Sequence, residues 1–268
     1  MNAINDSIEK LKNLTELTFD FRDGIAVIEL RSPPVNALTK VLTEELTLAL
    51  DTVNEIDAVR VVVLTGAGKH FCAGADLKGR KDIIKGPGDL PAHSRRNREC
   101  YHTVRECQKP VIAAVNGAAL GAGLALAASC DIIVVSETAR FGLPEIDVGL
   151  MGGASHAQRL FSHSLLRRMV LTGYRVPGAE LYRLGVVEAC VPVDELRPAA
   201  MEIATSIAAK SPLAVRKSKR TLNAIEDMTL RDGYRYEQDM TAEISATEDA
   251  REAQLAFNEK RAPVFVGR

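Results

Sequence analysis

Apolar and polar positions change rhythm once along this chain. Short β-branched runs mixed with amphipathic stretches fill it to about residue 192, and helical periodicity alone fills the remainder. Residues 15–19 and 25–30 predict two strands about an Asp23-Gly24 turn, followed by the rigid Ser32-Pro33-Pro34 break. Residues 36–56 (NALTKVLTEELTLALDTVNEI) place apolar side chains at helical spacing, which predicts an amphipathic helix lying on a sheet. Residues 61–64 predict a short apolar strand that runs into the loop TGAGKHFCAGADLKGR. Residues 79–91 are charged, rich in Gly and Pro and weakly periodic, so a mobile surface loop is expected, then a helix over 95–107. Residues 110–131 (PVIAAVNGAALGAGLALAASCD) predict a strand over 111–115 buried on both faces, a turn at Asn116-Gly117 and an enclosed helix over 124–128. A buried strand at 132–135, a proline-bent loop at 139–150, a helix over 155–171 and a last strand at 186–191 follow. Helices are then predicted over 193–210, 212–225, 230–244 and 248–260, punctuated by Ser211-Pro212 and Thr247-Glu248-Asp249. The strand-helix-strand order predicts an α/β core over residues 1–192 and a helical C-terminal region over 193–268.

Composition narrows the partners. With 46% hydrophobic and 26% charged residues, the 268-residue chain reads as globular, with enough material for a large core. A net charge of -1 gives no general attraction to nucleic acid or to an anionic membrane, so an anionic ligand must be held by local basic residues. The five cysteines form an odd set without a C-x-x-C pair, which argues against a disulfide framework and a zinc site and points to a reducing cytoplasm. The N-terminal stretch MNAINDSIEKLKNL lacks a continuous apolar segment, and no run reaches eighteen apolar residues, so neither export nor a membrane span is expected.

Several chemical motifs fail on spacing. Gly66-Ala67-Gly68-Lys69 would need glycine at 63 and Ser or Thr at 70 to form a P-loop, and Val63 and His70 stand there. Gly121-Ala122-Gly123 would need glycine at 126 for a dinucleotide fingerprint, and Leu126 stands there. His70, His93, His102, His156 and His163 show no paired ligand spacing, so no metal site is expected, and a G-x-S-x-G elbow is absent.

Three segments do hold together: FCAGADL (residues 71–77), the glycine turn of residues 110–131, and FGLPEIDVGL (residues 141–150). With SPPVNAL, CDIIVVSETARFGLPEIDVGL, QRL, LTGYRV, ELYRLGVVEACVP and AFNEKRAP they run in order along nearly the whole chain. In them the chain resembles the crotonase superfamily, the enoyl-CoA hydratase and isomerase family. The resemblance implies a spiral of β-β-α units with a helical C-terminal region that builds trimers, often paired as hexamers. It also implies an acyl-CoA thioester as substrate, with CoA part of the substrate and no separate cofactor.

By resemblance, the backbone N–H groups of Ala75, after Gly74, and of Ala122, after Gly121, form an oxyanion hole for a thioester enolate. Glu145, among Phe141, Leu143, Pro144, Ile146 and Val148, matches a family glutamate, and its apolar setting predicts a raised pKa suited to proton transfer. Ala125 stands where family hydratases carry another glutamate, so a water held between two carboxylates is not expected here. That leaves a single-glutamate hydratase or isomerase, a hydroxycinnamoyl-CoA type hydratase-lyase, or a CoA- or RNA-binding member without catalysis. His156, in GGASHAQRL beside Gly153, is a second acid/base or a packed helix residue, and Asp147 reads as structural. For the CoA portion the resemblance implicates Arg31, Ala37, Ala73, Asp76, Leu77 and Lys78, and, from a neighbouring subunit, Phe257 and Lys260.

Overall fold

A computed structural model describes residues 2–268, with side chains from Asp6 onward. Helix α1 (Asn2–Lys12) precedes an antiparallel hairpin, β1 (Leu17–Arg22) and β2 (Ile25–Leu30), closed by Asp23 and Gly24 with φ of 53° and 79°. Both residues sit in the left-handed region that a two-residue hairpin turn of this hand requires. Helix α2 (Lys40–Glu55) leads to β3 (Val61–Gly66), β4 (His70–Cys72), α3 (Leu77–Ile83) and α4 (Asp89–Glu106). The next turn is β5 (Val111–Val115), β6 (Ala118–Leu120) and α5 (Ala122–Ala128). A third contains β7 (Ile132–Ser136), β8 (Arg140–Gly142), a 3-10 turn (Pro144–Val148), α6 (Ala154–Ala157) and α7 (His163–Thr172). After β9 (Arg175–Pro177), α8 (Gly178–Arg183) and β10 (Ala189–Val191) come α9 (Leu196–Ala208), α10 (Pro212–Ile225), α11 (Leu230–Ser245) and α12 (Glu248–Glu259).

The strands form a six-stranded sheet in the order β1-β2-β3-β5-β7-β10 and a four-stranded sheet in the order β4-β6-β8-β9. Each of β3, β5 and β7 is followed by a short strand of the other sheet and then by helix, which is the stacked β-β-α spiral that the resemblance implied. From β2 to β10 the larger sheet is parallel and is buried on both faces. Val62, Leu64, Ala113 and Val115 face the main core with α2, α4 and α5. Val61, Val63, Ile112 and Ala114 face the other way, onto Leu196, Ala200 and Ala204 of α9. This two-sided burial explains the unbroken apolar runs of these strands.

Four expectations change. The helix expected over 36–56 begins at Lys40, because Asn36 has φ of 52° and Thr39 caps the helix by accepting the Leu42 N–H at 2.9 Å. Residues 79–91 are not a long mobile loop: α3 continues to Ile83, and α4 starts at Asp89, whose carboxylate accepts the Lys85 and Gly86 N–H groups. The loop expected over 139–150 contains β8 and a 3-10 turn, and the helix expected over 155–171 is interrupted between α6 and α7. Strands of three residues are too short to display a period of two. The helices expected over 212–225, 230–244 and 248–260 are present as α10, α11 and α12, the first and last capped by Ser211 and Thr247.

Among the described residues, no helix is long and apolar enough to cross a membrane. All five cysteines are free, and four are buried.

Candidate active site

Three short strands deliver the site. β4 pairs with β6 and β6 with β8, all parallel, so the chain leaves each strand in the same direction. Just beyond the three exits stand Ala75, Ala122 and Glu145.

The first two exits are in close contact. A Cβ placed on Gly123 would lie 2.0 Å from the Cys72 carbonyl oxygen, so only glycine lets the start of α5 rest on the end of β4. Residues 73–76 are pinned to 35–38: Ala73 N–H donates to Val35 at 3.0 Å, Leu38 N–H to Gly74 at 2.8 Å, and Asp76 N–H to Leu38 at 3.3 Å. That pattern occupies the flanking donors and leaves the Ala75 N–H with no acceptor among the described residues. Ala122 opens α5, so its N–H has no helical carbonyl to meet. Both alanines line one cavity of about 390 Å³.

Glu145 lines the same cavity from the 3-10 turn after β8. Its carboxylate lies on Gly121, where an added Cβ would be 2.2 Å from Oε1. Gly121 has φ of 53° and ψ of -116°, a backbone state that a side chain would strain. Glu145 Oε2 is buried without a hydrogen-bond partner. Burial pushes the Glu145 pKa above the usual carboxylate value, opposed in part by its own backbone N–H. The carboxylate is therefore a proton acceptor with an unused lone pair, set beside two unused N–H donors.

Ala125, one turn into α5 and 1% exposed, forms part of the cavity wall, and Glu145 is the one carboxylate lining it among the described residues. Asp147 points elsewhere: a Cβ on Gly173 would lie 3.1 Å from its carboxylate oxygens. Gly153, at the N-cap of α6, also lines the cavity, as does His156 on that helix. The His156 ring meets Tyr101 edge-on, with centroids 5.0 Å apart and planes at 68°. Burial, then the fields of His102, Arg159 and Arg105, lower its pKa, so the ring is neutral at pH 7.

A further part of the wall comes from α3 and α4 and includes residues that the sequence pattern did not single out for this role. Arg80 stands on α3, and α4 presents His93, Ser94, Asn97, Arg98 and Tyr101. His93, Asn97 and Tyr101 are four residues apart and share a helix face. Their spacing was the available signal, but a polar inward face gives no amphipathic pattern.

Of the residues implicated in holding CoA, Ala37, Ala73 and Asp76 are half-buried along the paired segments 35–38 and 73–76, and Asp76 caps α3 by accepting the Lys78 and Gly79 N–H groups. Leu77 and Lys78 line an adjoining cavity of about 770 Å³, which shares Leu77, Arg80, Leu90 and Leu150 with the first. Arg31 is exposed after β2 and lines neither cavity. Phe257, 83% exposed on α12, and Lys260, at its C-cap, also lie outside both cavities.

The sequence matches the family model described as enoyl-CoA hydratase/isomerase over residues 20–268. A 2,3-dehydroadipyl-CoA hydratase of Escherichia coli is similar at 36% identity, over 95% of this chain and all (100%) of that one. A mitochondrial enoyl-CoA hydratase of Pongo abelii is similar at 38% identity, over 90% of this chain and 83% of its own. Among solved structures, an enoyl-CoA hydratase from Bacillus anthracis is similar with a TM-score of 0.90 at 34% identity, covering 95% of this chain and 100% of that chain.

Proposed function

The chain belongs to the enoyl-CoA hydratase/isomerase family and is an acyl-CoA enzyme, and on that premise we propose that it works through a thioester enolate with Glu145 as its single carboxylate acid/base. The observation that carries this reading is the juxtaposition in one cavity of the partnerless Ala75 and Ala122 N–H groups with the Glu145 carboxylate, opposite a methyl group at Ala125. The two N–H groups receive the thioester oxygen and strengthen their hydrogen bonds as negative charge builds there; one such donor contributes roughly 3 to 4 kcal/mol to a transition state. Glu145 removes a proton from the acyl chain and returns it to another carbon, which moves the double bond. Its raised pKa favours both halves of that transfer, because the protonated form is not too acidic to persist. Proton transfer of this kind is redox-neutral and calls for no redox cofactor.

His156 supports a second reading. As a neutral ring in the same cavity it can hold the water that Ala125 cannot, so that Glu145 and His156 together carry out hydration or, with a phenolic substrate, a hydratase-lyase reaction. Offering crotonyl-CoA, a 3-enoyl-CoA and a hydroxycinnamoyl-CoA to the purified protein, with products followed by mass spectrometry, separates these readings. Turnover of the 3-enoyl-CoA to its 2-enoyl isomer supports the first, and rapid hydration of crotonyl-CoA overturns it.

The CoA portion runs along Arg31, Ala37, Ala73, Asp76, Leu77 and Lys78, with Phe257 and Lys260 supplied by a neighbouring subunit. Exposed apolar side chains on and after the last helices, Leu230 at 91%, Phe257 at 83% and Val264 at 71%, support assembly into a homotrimer or hexamer. Light scattering at working concentration tests it. Five free cysteines agree with a reducing, cytoplasmic setting.

A further inference from the structure

The wall that α3 and α4 give the cavity is rich in hydrogen-bond donors, two of which have nothing to donate to among the described residues. The guanidinium of Arg80, half-buried on α3, makes no hydrogen bond or ion pair among the described residues. The Asn97 amide NH2 lies 3.2 Å from His93 Nε2. As an amide NH2 can only donate, Nε2 accepts, and the proton of the neutral ring sits on Nδ1. That Nδ1 is buried without a partner. Burial first, then the Arg80 and Arg96 fields, lower the His93 pKa, which keeps the ring neutral.

A hydrocarbon chain laid against this wall would strip water from the half-buried guanidinium, leave the imidazole N–H unpaired and return nothing, a cost of a few kcal/mol in general. An acyl group with its own oxygen anion would satisfy the guanidinium and, with a small turn of the His93 ring, its Nδ1–H as well. The fixed charges agree: Arg80 is uncompensated, Arg98 reaches only Glu99 on its own helix at 3.4 Å, and Arg96 is already paired with Glu44 at 3.0 Å. Glu145 is the one acid lining the cavity among the described residues, so an anionic acyl end is drawn to Arg80 rather than to the carboxylate that must take the proton.

We propose that this enzyme selects acyl-CoA substrates whose acyl group ends in a carboxylate or comparable oxygen anion, received by Arg80 and the His93-Asn97 pair. The inference rests on the acyl-CoA reading above and specifies its substrate class. It also assigns α3 and α4 roles in specificity: Arg80 on α3 supplies the charge, and on α4 Asn97 fixes the tautomer of His93. Recognition of this kind discriminates sharply, because an apolar analogue leaves the buried donors unpaired.

The test measures binding by calorimetry for two unreactive ligands of equal chain length, a saturated straight-chain acyl-CoA and its ω-carboxy counterpart. The ω-carboxy ligand is expected to bind about ten- to hundredfold more tightly, as a charge-assisted hydrogen bond allows. In Arg80→Met that ratio is expected to fall toward one, and in His93→Leu to fall part of the way. Equal affinities in the native protein, or tighter binding of the alkyl ligand, overturn the inference while leaving the acyl-CoA reading intact. An Arg80→Met variant that weakens both ligands by the same factor places Arg80 on the CoA portion and also overturns it. Failure of both ligands to bind the native protein removes the acyl-CoA reading itself.

Discussion

Replacing Gly121 by alanine would insert one methyl group at the point where the oxyanion hole and the acid/base meet. The new Cβ falls 2.2 Å from Glu145 Oε1 and 3.1 Å from its Cδ. An ordinary carbon-oxygen contact is about 3.3 Å, so the carboxylate must retreat by about 1 Å. A displacement of about 1 Å at a reacting group costs on the order of 10²-fold in rate. The backbone, at φ 53° and ψ -116°, adds strain of roughly 1 to 3 kcal/mol. The fold should survive, since the collision is with a side chain that can swing into the cavity. The assay combines turnover of the best CoA substrate with urea unfolding, for Gly121→Ala, Glu145→Gln and the double variant. Gly121→Ala is expected to lose at least about 10²-fold in kcat/KM, yet to add almost nothing on the Glu145→Gln background, because its target has already gone. Activity within about threefold of the native protein would refute the reasoning, as would full additivity, which would place the effect on the Ala122 N–H.

Glu145 also links activity and stability to pH. Its folded pKa is raised by burial, so kcat/KM should fall on the acid side through an ionisation above 4.5, and Glu145→Gln should abolish that limb in a pH-rate profile. A carboxyl whose folded pKa is raised favours the fold below its unfolded pKa and loses that contribution as pH rises through the folded pKa. Glu145→Gln should therefore raise the thermal midpoint at pH 7 relative to the native protein, with the difference closing toward pH 4 in a calorimetric series. Away from the site, Lys219 Nζ donates to Asp131 at 2.8 Å and to the Lys109 carbonyl at 3.1 Å, both near the start of β5. Lys219→Met leaves the part-buried Asp131 carboxylate without its cation and should cost roughly 1 to 3 kcal/mol in urea unfolding. Ser211→Ala removes a 2.6 Å bond to buried Asp249 and the cap of α10, and should cost roughly 1 to 2 kcal/mol by the same measurement.

The parts of this molecule legible in its sequence are those where one physical demand dominates. β5 reads as a strand because both of its faces are buried, and α10 reads from residue 212 because Ser211-Pro212 is a capped start. The residues that gather at Ala75, Ala122 and Glu145 were visible through the order of three motifs, since the strand exits that join them lie far apart in the chain. The α4 wall was hidden for a physical reason. α4 buries only Cys100 and Val104 fully, and it turns His93, Asn97 and Tyr101 toward a polar cavity, so the sequence marks the helix only from residue 95 and does not mark its cavity face. A rule broken by a helix with a polar inward face is itself a pointer to the site. β6 and β8, three residues each, carry too little periodicity to be seen, though they aim Ala122 and Glu145.

Exchange of the C2 hydrogens of a saturated acyl-CoA into D2O, followed by mass spectrometry, tests the enolate mechanism without committing to one acyl group. The native protein is expected to catalyse deuterium incorporation at C2, and Glu145→Gln to lose it by at least about 10²-fold while still binding the thioester. Equal exchange by the two proteins, or none by the native protein under conditions where the acyl-CoA is bound, would contradict a carboxylate at Glu145 working against an oxyanion hole at Ala75 and Ala122.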